Sequence, residues 1–90
     1  METVWKYEVP VGDDIEIMMP EGATILPYVH AASAATLHVW AIVDPSATLS
    51  PRRLKVFGTG HPMHEGTYGP HIGTVVASPF VWHLFEGANM

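Results

Sequence analysis

The chain has 90 residues, of which 48% are hydrophobic and 14% are charged, and its formal net charge is −5. A chain of this length predicts one domain, residues 1–90, with a small core. The absence of cysteine excludes disulfides, thiolate metal sites and a cysteine nucleophile. The negative charge argues against bulk binding to nucleic acid, and the low charged fraction favours a homo-oligomer that covers apolar surface.

Membrane insertion and secretion are not expected from this sequence. No apolar run approaches the roughly 18 to 20 residues that cross a bilayer. The first residues include acidic Glu2 and do not follow the signal-peptide pattern of a basic region and then an apolar one. We therefore expect no membrane contact and a protein that stays in the cytoplasm where it is made.

Proline placement predicts an all-β fold, because eight prolines leave few windows for a helix of ordinary length. In the longest window without proline, Tyr28–Asp44, the second half is β-branched and aromatic and predicts a buried strand. The predicted strands are Thr3–Val9, Ile15–Met19, Thr24–His30, Leu37–Val43, Arg53–Gly58, Ile72–Ala77 and Phe80–Glu86. Segments at this spacing predict a small antiparallel barrel or sandwich of roughly five to seven strands.

Some segments also indicate their position in a sheet. Leu37–Val43 is apolar on both faces and is expected at the centre. Ile15–Met19 is short and is expected at an edge, and Pro27 confines Thr24–His30 to an edge or a bulge. Ser78-Pro79 separates the last two segments and predicts either a tight hairpin or a corner in one long strand.

A group of basic residues beside a glycine loop is a candidate site for an anionic ligand. Arginine binds phosphate or carboxylate through two hydrogen bonds, glycines let backbone N–H groups approach an anion, and an aromatic ring can stack on a base. The candidate ligand-binding residues are Arg52, Arg53, Lys55, Gly58, Thr59, Gly60, His61 and Tyr68. They would suit a nucleotide, although the segment has neither the ending of a P-loop nor a dinucleotide fingerprint.

The same basic residues have a simpler interpretation as the solvated face of a strand. Leu54 would point into the core, while Arg53 and Lys55 would point to solvent. The two cations would then pair with Asp44 or Glu86 and would discourage aggregation at a sheet edge. The sequence leaves both interpretations open.

Histidine is frequent, with six in the chain. His61 and His64 have a spacing at which two imidazoles can bind one metal. A third ligand would come from His71, His83 or Glu65, and the site would suit a metal hydrolase. The alternative is a set of surface and turn histidines in which His61 hydrogen-bonds the backbone of its own loop. On that interpretation we expect neither a metal nor a cofactor.

Most aromatic residues are predicted to lie in the core, but the last strand is an exception. Alternation divides Phe80–Glu86 into two faces that are both apolar, so one of them must meet a second sheet or another subunit. This pattern favours a protein–protein interface. The candidate interface residues are Trp40, Phe80, Trp82, His83 and Phe85.

Two stretches, the loop Phe57–Pro62 and the segment Phe80–Glu86, are unusual enough to serve as motifs. Further stretches belong with them: Trp5–Tyr7, Val9–Val11, Ile25-Leu26, Val39–Asp44, Arg52-Arg53 and Gly73–Val75. In these stretches, which extend over almost the whole chain, the sequence resembles an uncharacterised family of short proteins encoded by bacteriophages and actinobacterial genomes. The resemblance implies a phage origin and brings no activity with it.

We therefore expect a phage-encoded, non-enzymatic binding protein that acts on a host component in the host cytoplasm through protein–protein contact. One alternative is an oligomeric sponge that sequesters a nucleotide or another small anionic ligand and so counters host defence. Another is a metal hydrolase that uses His61, His64 and His71. The last alternative is a minor virion component.

Overall fold

The computed structural model describes residues 1–88, which contain seven β-strands. The strands are β1 (Thr3–Pro10), β2 (Ile15–Pro20), β3 (Thr24–Ala31), β4 (Thr36–Val43), β5 (Leu49–Gly58), β6 (Tyr68–Ala77) and β7 (Phe80–Gly87). The all-β prediction is confirmed, and the strand number matches the upper end of the expected range. No helix in residues 1–88 has the length and hydropathy needed to cross a bilayer.

The strands form two antiparallel sheets that pack face to face. The three-stranded sheet has the order β1-β4-β3, and the four-stranded sheet has the order β2-β5-β7-β6. β4 is therefore the central strand of its sheet, and β2 and β3 lie at edges, as the sequence predicted. Of the two expected architectures, the described residues adopt the sandwich.

Proline shapes two places in these sheets. Pro27 lies in β3 where the pairing with β4 shifts register, which confirms the expected bulge on an edge strand. Ser78-Pro79 forms the turn between β6 and β7, which pair from Ala77 opposite Phe80 onward. The last two segments therefore form a tight hairpin and not one bent strand.

The core lies between the inner faces of the two sheets. Every second residue of β4, from Leu37 to Val43, is buried. Leu54 of β5 and Leu84 of β7 join Leu37 and Val39 in one buried cluster, and the rest of the buried β4 residues lie in a second cluster. Burying one such side chain contributes about 1.5–3 kcal/mol, so a domain this small must keep its inner faces apolar. The intervening side chains of each strand consequently point outward.

The absence of a side chain at Gly73 lets β6 approach β3. A Cβ at this position would lie 2.8 Å from Cγ2 of Val29, which is too short for a carbon–carbon contact. β3 and β6 therefore pack together along one side of the sandwich. β1 and β2 lie along the opposite side.

Tyr7 of β1 brings a polar atom into the interior. Its hydroxyl is buried and has no hydrogen-bond partner within residues 1–88. Burial raises the pKa of the Tyr7 phenol above its ordinary value of 10.0, because the charged phenolate is desolvated. A buried hydroxyl without a partner lowers stability by about 1–3 kcal/mol.

We expect Tyr7→Phe to raise the free energy of unfolding by about 1 kcal/mol, because it removes that hydroxyl. Since the folded-state pKa is raised, the stability from the neutral phenol is present below pH 10.0 and is lost as the pH rises through the folded-state value. Urea unfolding curves should therefore show that the wild type loses stability above pH 10.0 faster than the variant.

A variant less stable than the wild type at neutral pH would contradict this account of Tyr7. Tyr28→Phe is the matched control, because Tyr28 is 59% exposed and its hydroxyl is not part of the interior. The control should change stability by less than about 0.5 kcal/mol, as surface substitutions usually do.

Candidate binding face

Aromatic residues gather on the outer side of the four-stranded sheet. Leu54 and Leu84 point into the core, so the residues next to them in β5 and β7 point outward. The registered pairs of β5 and β7 bring these outward residues together. We define the aromatic face as the outward group Phe57, Tyr68, His71, His83 and Phe85.

Ring packing holds the aromatic face together. The ring centroids of Tyr68 and Phe85 are 5.3 Å apart, and that of Phe57 lies 5.6 Å from Tyr68 and 5.8 Å from Phe85. His71 packs on Phe85 with a centroid distance of 5.0 Å. Edge-to-face pairs contribute about 0.5–1.5 kcal/mol each beyond the burial of area. The rings half-bury one another and still present surface to solvent.

A chain of hydrogen bonds fixes the imidazoles of this face. His83 Nε2 lies 2.8 Å from Thr59 Oγ1, and His83 Nδ1 lies 2.9 Å from Thr74 Oγ1. Thr74 Oγ1 in turn lies 3.0 Å from His71 Nε2. A neutral imidazole has a single N–H, and a hydroxyl has a single O–H and two acceptor lone pairs. When His71 Nε2 accepts from the Thr74 hydroxyl, neutral His83 must donate from Nδ1 to Thr74 and accept at Nε2 from Thr59. When His71 Nε2 carries a proton, it donates to Thr74 Oγ1.

This arrangement fits the positioning of side chains better than catalysis. Thr59 and His83 resemble the nucleophile and the general base of a catalytic triad. In such a triad a carboxylate orients the histidine, whereas here the group on the other side of His83 is the hydroxyl of Thr74. Both ring nitrogens of His83 are therefore engaged within the protein. The chain ties β6 and β7 to the loop after β5.

Arg52 is separated from the other cations of the predicted ligand site. Its Nε and Nη2 donate to the two carboxylate oxygens of Glu86 at 3.0 and 3.3 Å. Side chains alternate along β5, so Arg53 and Lys55 lie on the opposite face from Arg52. The predicted pairing of Arg53 or Lys55 with Glu86 is wrong, because Arg52 binds that carboxylate.

Arg53 and Lys55 each have another carboxylate neighbour, contributed by β2 and the turn before it. Arg53 Nε lies 3.6 Å from Glu16 Oε1, and Lys55 Nζ lies 3.5 Å from Asp14 Oδ1. Exposed ion pairs contribute only about 0–1 kcal/mol. Their importance here is that neither cation is left without a neighbouring negative charge.

The predicted pairing of Asp44 with a cation of β5 is also wrong. Asp44 Oδ1 accepts hydrogen bonds from the Ser46 hydroxyl at 2.7 Å and from the Ser46 amide at 3.0 Å. The hydroxyl bond, and after it the amide bond, lowers the pKa of Asp44 below its ordinary value. Asp44 therefore organises the turn between β4 and β5.

A cleft of about 330 Å³ adjoins Arg53 and Lys55. Its walls are formed by Asp14, Ile15, Glu16, Arg53, Leu54, Lys55, Thr67 and Gly87. The two carboxylates balance the two cations, so the lining carries no excess positive charge. An anionic ligand in this cleft would have to displace Asp14 or Glu16 from a cation. Tyr68, predicted for the same site, does not line the cleft but lies beside it on the same outer side of the sheet, next to Thr67 and opposite Gly87.

The glycine loop after β5 is closed on itself. The Gly58 N–H donates to His61 Nδ1 at 3.2 Å, and the His61 N–H donates to the Gly58 carbonyl at 3.0 Å. A Cβ on Gly58 would meet the His61 ring at 2.7 Å, and Gly60 has a φ of 88°, which favours glycine. The interpretation of His61 as a turn histidine that bonds its own loop is confirmed. The Gly58 N–H is therefore engaged and cannot also bind an anion.

The histidines considered as metal ligands do not form one ligand set. His61 bonds its own loop, His71 belongs to the chain through Thr74, and His64 is exposed. Within residues 1–88 no three or more histidine, aspartate or glutamate side chains are arranged to hold a metal ion. The metal-hydrolase alternative therefore has no assembled ligand set in the described part of the chain.

The predicted interface residues divide among different surfaces, and of these His83 and Phe85 lie on the aromatic face. Trp82 points inward, and its Nε1–H donates to a backbone carbonyl in the turn before β4 at 2.8 Å. Phe80 stacks on Trp82 with a centroid distance of 4.9 Å. Trp40 points away from the core on the outer side of the three-stranded sheet, because the residues on either side of it are buried.

Sequence reasoning placed neither Phe57 nor Thr74 in a candidate site, and it considered His71 only as a metal ligand. Phe57 is one of the aromatic residues of which most were predicted to lie in the core, although counting alternate residues from the inward Leu54 places it outward. Alternation in the sequence did not indicate that His71 and Thr74 point outward beside Phe85 and His83. The positions of His71 and Thr74 depend on the register shifts between β6 and β7, which a sequence pattern does not reveal.

Thr74→Val tests the hydrogen-bond chain, because it removes the linking hydroxyl and keeps a β-branched side chain. We expect the variant to fold with a loss of less than about 1.5 kcal/mol. The imidazole nitrogen chemical shifts of His83, measured by NMR, should change, while those of exposed His64 should not. Thr74→Ser retains a hydroxyl and should keep the wild-type shifts. An unchanged His83 spectrum in Thr74→Val would show that the chain does not form in solution.

Comparison with known proteins adds a family to this description. A search of the curated proteins found no match, and a search of the solved structures also found none. A family model described as Domain of unknown function (DUF7352) matches residues 1–90. The match therefore includes both sheets, the glycine loop and the aromatic face. On this basis the chain belongs to the family described as Domain of unknown function (DUF7352).

Proposed function

We propose that this chain is a small, non-enzymatic binding protein that contacts another protein through the aromatic face. The observation that carries the proposal is the cluster of Phe57, Tyr68 and Phe85 on the solvent side of a sheet. Aromatic side chains are enriched in protein interfaces and account for much of their binding energy. A cluster in this place adds little to the core and offers a partner a ready apolar surface.

The rings of this face are ordered before any partner binds. Edge-to-face packing restricts Tyr68 and Phe85, and hydrogen bonds hold His83 and His71. Ordering a mobile side chain on binding costs about 0.5–1.5 kcal/mol. A surface that is already ordered therefore binds with a smaller entropic loss.

Charged residues border the aromatic face on the side of β2. The pairs Arg53–Glu16 and Lys55–Asp14 place both signs of charge there, and each of these side chains except that of Lys55 is more than half exposed. A polar rim around an apolar centre is the usual anatomy of a protein interface. Such a rim contributes more to orientation and association rate than to affinity.

The proposal includes the setting in which the protein works. The resemblance of Phe57–Pro62 and Phe80–Glu86 to phage and actinobacterial proteins supports a phage-encoded chain. Such a chain would act on a host component in the host cytoplasm. Its host partner would be a protein with an apolar pocket that accepts Tyr68 or Phe85.

A second candidate function is a sponge for a nucleotide or another small anionic ligand. The cleft of about 330 Å³ beside Arg53 and Lys55 is the feature that favours it. The neighbouring carboxylates of Asp14 and Glu16 weaken it, because they already pair with both cations. A nucleotide bound there would raise the melting temperature, whereas the protein-contact proposal expects no shift. A minor virion component would instead be present in purified particles.

Tyr68→Ser tests the proposal, because Tyr68 packs on the other rings outside the core cluster. The host partner is first identified with tagged wild-type protein by quantitative affinity mass spectrometry and is then purified. We expect the Kd for that partner to rise at least about thirtyfold, the effect of losing an aromatic hot spot. Losing its two ring pairs should lower the stability of the variant by about 1–3 kcal/mol, so binding is measured at a temperature where circular dichroism shows that the variant is folded.

Tyr28→Ser is the matched control, because Tyr28 is exposed and packs on Trp40 of the other sheet. The control should bind the partner as the wild type does. Equal binding by Tyr68→Ser and Tyr28→Ser would overturn the assignment of the aromatic face. Loss of binding in Tyr28→Ser alone would move the contact to the three-stranded sheet.

A further inference from the structure

The first strand leaves one edge of the three-stranded sheet open. β1 pairs with β4, and in the described residues no strand lies on its other side. The free backbone edge is eight residues long. β3, at the other end of the same sheet, differs because it packs along β6. The edge of β1 is therefore open to pairing with another strand.

The side chains of β1 make this edge attractive to a partner strand. Val4 is 51% exposed and Trp5 is 38% exposed. Proline occurs only at the last position of the strand, Pro10, where it does not interrupt pairing along the middle. Natural proteins usually shield open edges with proline, charge or a covering segment. The two charged residues of β1, Lys6 and Glu8, have opposite signs and are compatible with pairing between two copies of the strand.

We propose that the chain forms a symmetric dimer in which β1 pairs antiparallel with β1 of a second copy, centred on Tyr7. In this register Lys6 of each copy lies opposite Glu8 of the other, and Trp5 lies opposite Val9. Opposite charges directly across a strand pair stabilise it. The two three-stranded sheets would then join edge to edge into one continuous sheet.

The two charges are available for this pairing. Lys6 is exposed, and the ion pairs found within residues 1–88 do not include it. The Glu8 side chain is 75% exposed, and its Oε1 lies 3.8 Å from His38 Nε2. Both side chains point to the outer side of the sheet, because Val9 and Tyr7 face inward. The dimer would add a partner to each charge without disturbing the core.

Charge also excludes the neighbouring registers. Centring the pair on Lys6 would place two lysines directly opposite each other, and centring it on Glu8 would do the same with two glutamates. If the pairing shifted by a single residue, inward-facing residues of one copy would lie opposite outward-facing residues of the other, and the inner faces of the two sheets would no longer match. The register centred on Tyr7 therefore satisfies both the charges and the faces of the strand.

This inference does not rest on the proposed function. The aromatic face lies on the four-stranded sheet, whereas β1 belongs to the other sheet. Pairing through β1 would leave the aromatic faces of both copies free for a partner. Either proposal can therefore fail while the other stands.

Charge exchange at Lys6 and Glu8 tests the dimer by sedimentation of the untagged full chain. Lys6→Glu places a carboxylate opposite Glu8 of the second copy, and Glu8→Lys places a lysine opposite Lys6. Each single variant should raise the dimer Kd at least about tenfold, because two attractive pairs become repulsive. The double variant should restore the wild-type Kd.

Mixing the two single variants is the most specific form of this test. One carries two carboxylates on β1 and the other two lysines, so the mixture should form dimers that neither variant forms alone. Glu21→Lys, in an exposed turn, is the control for change in net charge and should dimerise as the wild type does. Circular dichroism confirms that each variant is folded. A monomeric wild type at micromolar concentrations, or a mixture that does not associate, would overturn the proposal.

Discussion

The two sheets pack against each other through an apolar interior, and this requirement commits one side of every strand to that interior. Leu37 and Val39 meet Leu54 and Leu84 there, and each is almost fully buried. The chain is 48% hydrophobic, yet the core uses only alternate positions. Aromatic and aliphatic side chains consequently also reach the outer faces. The aromatic face follows from this division, whereas the open edge of β1 follows from the strand order.

Alternation also separates residues that are adjacent in the sequence. Arg52 bonds Glu86 on one side of β5, while Arg53 and Lys55 lie on the other. A linear cluster of basic residues therefore does not become a cationic pocket. The reverse occurs on the aromatic face, where β5, β6 and β7 contribute rings from distant parts of the sequence. Strand pairing, and not proximity in the sequence, assembles the candidate binding surface.

The features predicted correctly from the sequence depend on local patterns. Pro27 marked an edge strand with a bulge, and the apolar run Leu37–Val43 marked a central strand. The ion pair of Arg53 with Glu16 could not be predicted, because it depends on the pairing of β2 with β5. His71 joins the aromatic face for a similar reason, since shifts in the β6–β7 register place it beside Phe85. Fold class was therefore more accessible to sequence reasoning than the composition of the site.

The central claim is that the aromatic face contacts a host protein. Photo-crosslinking in host cells tests it most directly, with a benzophenone amino acid incorporated at position 68 and, in a separate variant, at position 28. These positions lie on the outer sides of different sheets. The account predicts a covalent adduct with one host protein from position 68 and none from position 28. Adducts from position 28 alone, or from neither position, would contradict it.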